Sequence, residues 1–147
     1  MQARKRSGTR SAASSTSKPP EPLTFFLDES LDSGSIVTAL REAGATVERL
    51  TDHFSKGTPD EKWLAEAGRK RWIVLTRDKR IRYRQLERLA LQKAGVRAFV
   101  FTGGNVTIKD TGVILAGALE RMSKIARADP GPFIYHIPRS GRPVQMA

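Results

Sequence analysis

Residues 23–30, Leu23-Thr24-Phe25-Phe26-Leu27-Asp28-Glu29-Ser30, run five mostly apolar residues straight into two adjacent carboxylates. The apolar part is short and rich in aromatics, so it reads as a buried strand. The end of a core strand is an expensive place for negative charge unless something positive meets it there. The stretch therefore marks both the first element of the domain and a candidate site.

From this strand outward the chain alternates. Ile36, Val37, Leu40 and Ala43 recur at helical spacing, with Gly44 placed to end the helix. Residues 46–50 alternate as a second strand, and the loop TDHFSKGT follows. Thr58-Pro59-Asp60-Glu61 has the form of a helix start: a cap, a proline at the first helical position, then two acids in the first turn. Trp63, Leu64 and Ala67 supply the apolar face of that helix, and Arg69-Lys70-Arg71 closes it. Residues 72–76, WIVLT, form a buried strand, and Ile81, Leu86, Leu89, Ala90 and Ala94 predict a helix ending at Gly95. Residues 96–101 predict a fourth strand, Gly103-Gly104 a turn, residues 107–126 a long last helix and residues 133–137 a final short strand. Strand and helix in regular alternation imply crossover connections: an α/β fold, three-layer α/β/α, with a mainly parallel central sheet. In such sheets ligands bind beyond the carboxyl ends of the strands.

Composition limits the choices of function. The chain has 147 residues, enough for one domain, and 39% are hydrophobic. With no cysteine there are no disulfides, no Cys-ligated zinc and no thiol nucleophile, which fits a reducing cytoplasm. His53 and His136 are too few and too far apart in sequence to suggest a histidine metal site. No apolar run approaches the ~20 residues of a membrane span, and no apolar core follows the basic N-terminus as in a secretory signal. The 26 Lys and Arg exceed the 15 Asp and Glu, for a net charge of +11 and a pI near 10.7. Such an excess points to a polyanionic partner. Residues 1–22 are basic, Ser-, Thr- and Pro-rich and read as a disordered arm; residues 23–137 form the domain, and residues 138–147 a flexible C-terminal tail.

The acids form a pattern. Asp28 and Glu29 follow the first strand, Asp60 and Glu61 open a helix after the second, and Asp78 follows the WIVLT strand. A parallel sheet puts Asp28 and Asp78 on one edge, and a long loop brings the 60–61 helix start within reach of it. Gathered carboxylates repel, and a hard cation such as Mg²⁺ or Mn²⁺ relieves that conflict. Each acid also has a plainer role: Asp60 and Glu61 complement a helix dipole, and Asp78 caps the next helix. Asp32 reads as an N-cap or a solvated loop acid. Asp110 and Glu120 read as surface charge, with Asp110 within reach of the site.

FFLDES, TPDEKWL and WIVLTRDKR, in this order, resemble the PIN-like nucleases, especially the short bacterial PIN-like domains akin to VapC-type toxins. The likeness spans residues 23–101. It implies a metal-dependent endoribonuclease of a toxin–antitoxin pair, with an antitoxin protein as partner; many relatives pair up, so a homodimer is open. By position it makes Asp28, Asp60 and Asp78 the catalytic metal ligands, Glu29 and Glu61 supporting acids, and Thr76 the group that orients a carboxylate or water. Relatives often carry a further acid just after the third motif, where this chain has Lys79-Arg80.

Arg77, Lys79, Arg80, Arg82 and Arg84 bracket Asp78 with Tyr83 among them. Cations hold phosphates and an aromatic ring stacks on a base, so this cluster is a candidate RNA-binding surface; an exposed basic helix face is the plainer reading. Asn105, after the fourth strand, is a candidate contact for substrate or simply part of a turn. Two other functions remain: a catalytically inactive nucleic-acid-binding module, favoured by Lys79-Arg80, and a receiver-like phospho-acceptor domain, disfavoured by charge and spacing.

Overall fold

The computed structural model describes residues 22–78, 81 and 84–146. Lys79, Arg80, Arg82, Tyr83 and residues 1–21 of the N-terminal arm lie outside the described residues. The elements run β1 (Thr24–Leu27), a 3-10 turn (Glu29–Leu31), α1 (Gly34–Glu42), β2 (Thr46–Arg49), α2 (Leu50–His53), α3 (Asp60–Arg69), β3 (Ile73–Thr76), α4 (Gln85–Ala94), β4 (Arg97–Phe101), α5 (Ile108–Ala128), β5 (Phe133–Ile137) and β6 (Val144–Gln145). The sheet order is β2-β1-β3-β4-β5-β6. Its first five strands are parallel, and β6 pairs antiparallel with β5.

Strand side chains alternate between two cores, as a period of two requires. Phe25, Leu27, Ile73, Leu75, Phe99, Phe101 and Phe133 face α1 and α5, where they meet Ile36, Leu40, Leu115 and Met122. Phe26, Val74, Ala98, Val100 and Ile134 face the other way and meet Leu50, Trp63, Leu64 and Leu91. Both faces of the sheet are covered, so the strands read as nearly continuous apolar runs rather than as half-polar ones. The result is the three-layer α/β/α fold that the alternation predicts.

Four local readings change. Leu50 does not end the second strand but opens α2; it is buried beside Phe26 and Trp63, and its neighbours Arg49 and Thr51 both bond Asp32, at 2.6 and 2.7 Å. Asp32 is thus neither a helix N-cap, a place Ser33 takes for α1, nor a solvated acid. Within the segment expected to be a flexible tail, Val144–Gln145 form β6. Leu86 and Leu89, expected on the buried face of their helix, are 80% and 50% exposed. Leu91, with Ala90 and Ala94 partly buried, makes the inward contact instead.

Candidate active site

Each strand-end acid is placed by the strand before it. Leu27 pairs with Leu75 in the parallel ladder, and the Asp28 amide continues it by donating to the Leu75 carbonyl at 3.3 Å. Asp28 and Thr76 therefore leave adjacent strands side by side. The Thr76 hydroxyl donates to one Asp28 oxygen at 2.5 Å. The other oxygen accepts from the Ser30 amide at 3.0 Å and from the Ser30 hydroxyl. Thr76 Oγ1 in turn accepts from the Asp78 amide at 3.0 Å, and Ser30 Oγ accepts from the Arg77 amide at 2.9 Å. One hydroxyl thus joins the Asp28 carboxylate to the Asp78 backbone, and a second joins it to Arg77.

Asp28 is buried, as is Thr76. Burial pushes the Asp28 carboxyl up from 3.8 to about 6; the hydrogen bonds from Ser30 and Thr76 oppose the rise, and the nearby charge of Asp78 adds to it. This answers the question posed by LTFFLDES: the acid at the strand end is buried but held by hydroxyl and amide donors.

The other predicted acids gather alongside. Glu29 accepts from the Gly57 amide at 3.2 Å. With Asp60, Glu61 and Glu87 it lines a cleft of about 390 Å³ between the 3-10 turn, the start of α3 and α4. Asp60 lies at the first position of α3, after Pro59, and accepts from the Trp63 indole at 3.0 Å. The structure thus joins Asp28 to Asp78 and groups Asp60 with Glu29 and Glu61. Among the described residues no three acids are arranged to hold one metal ion.

The two-carboxylate set suits a hard cation all the same. Mg²⁺ retains waters and is commonly bound through one or two carboxylates together with substrate phosphates. Asp28 brings a carboxylate held by the Thr76 and Ser30 hydroxyls, and Asp78 follows on the next strand with its charge felt at Asp28; a cation would favour the charged form that burial, and to a lesser degree Asp78, disfavours.

Of the predicted RNA-binding residues, Arg77 and Arg84 are described. Arg77 donates to the Gly104 carbonyl at 3.1 Å and lies over the Phe101 ring at 5.6 Å, so it joins the β3 end to the β4 end. Arg84 precedes α4, is mostly exposed and lies 4.0 Å from Glu87. Asn105 sits in the exposed turn between β4 and α5. Asp110 is exposed in the first turn of α5, where its amide is capped by Thr107.

Sequence reasoning missed three residues here. Ser30 stands two positions after Asp28, a spacing at which an acid often closes a turn by accepting from the backbone; that was its available signal. Glu87 lines the acidic cleft, where one of its carboxylate oxygens is buried without a partner among the described residues. Arg139 donates to the Gly103 carbonyl at 3.2 Å and braces the turn that receives Arg77; nothing in the sequence connects those positions.

Residues 23–103, from β1 to the end of β4, match the family described as PIN like domain. The chain belongs to the PIN-like domain family. The matched span contains the Asp28–Thr76–Asp78 assembly and the acidic cleft. The PIN-like domain is also 28% identical, over 117 residues, to "Putative ribonuclease VapC45" of Mycobacterium tuberculosis (strain ATCC 25618 / H37Rv), covering 77% of this chain and 84% of that protein. No solved structure matches it. Among the described residues, no helix of this PIN-like domain is long and apolar enough to cross a membrane.

Proposed function

We propose that this PIN-like domain is a cytoplasmic Mg²⁺- or Mn²⁺-dependent endoribonuclease, the toxin of a toxin–antitoxin pair. The observation that carries the reading is the buried Asp28 carboxylate, joined through Thr76 to Asp78 at the carboxyl edge of a parallel sheet. Its likeness to a VapC-named ribonuclease supports the substrate and the antitoxin partner.

Asp28 and Asp78 would hold the ion, which when bound supplies Lewis-acid charge at the phosphodiester and lowers the pKa of water. Ser30 and Thr76 fix the Asp28 oxygens, so the site needs little rearrangement to accept a cation. The carboxylates, rather than either histidine, take up the proton of the attacking water. Arg77, braced by Gly104 and Phe101, stands at the rim where a phosphate would pass. Glu29, Asp60, Glu61 and Glu87 line the adjoining cleft, where they would support a second ion or repel misplaced phosphate. The exposed Leu86 and Leu89 beside this cleft give a protein partner an apolar foothold.

The test is cleavage of a labelled RNA by the full chain. Cutting that requires Mn²⁺ and stops in EDTA is the expected result; equal cutting in EDTA would overturn the reading. One observation favours a second reading, an inactive RNA-binding module: the described acids do not form a three-residue metal cluster. On that reading, RNA binds tightly without a divalent ion and is never cut.

A further inference from the structure

A second cluster of charge lies at the opposite edge of the sheet. Thr24 at the start of β1, Arg97 at the start of β4 and Ala126 near the end of α5 line a cavity of about 370 Å³ together with Lys70, Arg71 and Arg127. Among the described residues, four cations line it and no carboxylate does.

Arg97 is only 6% exposed. Its guanidinium donates to the carbonyls of Ala126 at 2.9 Å and Arg71 at 2.6 Å, while its Nε is buried with no partner among the described residues. Carbonyl oxygens orient a guanidinium but cancel none of its formal charge. Arg71 is held in the same way, by the carbonyls of Pro130 at 2.9 Å and Gly95 at 3.4 Å. It also adopts a φ of 60° just past the end of α3, a position where glycine is the usual residue. An arginine there has unfavourable backbone geometry, and its side chain reaches into the cationic group. Burial, with the charge of Arg71 adding to it, pulls the Arg97 guanidinium below its ordinary pKa. Among the described residues no carboxylate lies within ion-pair distance of Arg71, Arg97 or Arg127; Lys70 has Glu66 at 3.5 Å.

We propose that this cavity is a binding site for a phosphate group, separate from the acidic site at the other end of the strands. Planar guanidinium forks fixed by carbonyls match the oxygens of a phosphate, and Lys70 and Arg127 close the rim. The phosphate belongs either to a free nucleotide or to an RNA backbone.

Calorimetric titration of the full chain in EDTA with inorganic phosphate, adenosine monophosphate and a short oligoribonucleotide tests this. Saturable binding of phosphate is expected, with an affinity loss of about tenfold in Lys70→Ala and in Arg127→Ala. Both are rim residues whose removal leaves the buried Arg97 contacts in place. Retention of the monophosphate but not the oligoribonucleotide by the wild type identifies a free phosphate as the ligand; the reverse identifies the RNA backbone. No saturable phosphate binding, or wild-type affinity in both rim variants, overturns the proposal. Neither result bears on metal-dependent cleavage, which is measured separately.

Discussion

Asp28→Asn is expected to lose RNA cleavage by on the order of a thousandfold, about 4 kcal/mol of barrier, and at the same time to make the metal-free protein more stable. Both effects have one cause. In the unfolded chain this carboxyl titrates near 3.8, and in the fold near 6. Between those values the native protein holds a proton that the unfolded chain has released. Stability therefore falls as pH rises from 3.8 to 6 and stays reduced above that, by up to about 3 kcal/mol for this group alone. Asparagine carries no charge and lacks this penalty. Turning its amide toward Ser30 or Thr76 gives some of the benefit back, leaving a net gain of about 1–3 kcal/mol above the folded pKa. Urea melts of wild type and variant in EDTA, above pH 6 and below pH 3.8, check the stability half. The two curves should converge in acid. A variant that cuts RNA normally, or that is less stable than wild type above pH 6, contradicts the account. Groups kept in a strained electrostatic state for chemistry commonly reduce stability in this way.

Gly68→Ala is expected to be the most damaging of the conservative changes on the other face of the sheet. A methyl built there would lie 2.0 Å from the Ala94 carbonyl oxygen and 2.9 Å from its carbon, so backbone rather than a flexible side chain must move. That contact sets the approach of α3 to α4. The first of these helices buries Trp63, Leu64 and Ala67 and the second buries Leu91. Separating them loosens this packing, for a loss of about 2–3 kcal/mol. Gly117→Ala is the control. It is also a helical glycine, but it is exposed and nothing lies within 4 Å of its added methyl, so helix propensity alone should stabilise it by up to about 1 kcal/mol. Thermal melts of the two variants should move in opposite directions. A shift of the same sign and size in both would show that α3 and α4 do not meet as described.

The contrast between these glycines shows where sequence reading stops. Both stand inside helical patterns, and neither identity nor spacing separates the one pressed against Ala94 from the one facing open space. The alternation was legible because burial on both faces of a parallel sheet leaves long apolar runs such as WIVLT, with polar turns between them. Asp28 stood out for the same reason: a charge directly after four apolar residues contradicts its surroundings. Leu86 and Leu89 misled because apolar identity predicts burial only on average; α4 turns Leu91 inward and leaves them on a face the fold does not cover. Leu50 was assigned to a strand because its pattern continues that of Val47, whereas the bonds of Arg49 and Thr51 to Asp32, made across 17 and 19 positions, turn the chain there. The Asp28–Thr76 pairing, across 48 positions, was foreseeable only once strands one and three were taken as neighbours. The grouping of Glu87 with Glu29, Asp60 and Glu61 was not foreseeable at all, since it depends on the angle at which α4 crosses the cleft.

Binding of Mn²⁺ to the full chain, followed by electron paramagnetic resonance near neutral pH, tests most directly whether Asp28 and Asp78 act as one site. The account predicts saturable binding by the wild type, and loss of that binding in Asp28→Asn and in Asp78→Asn alike. Undiminished Mn²⁺ affinity in either variant would contradict it.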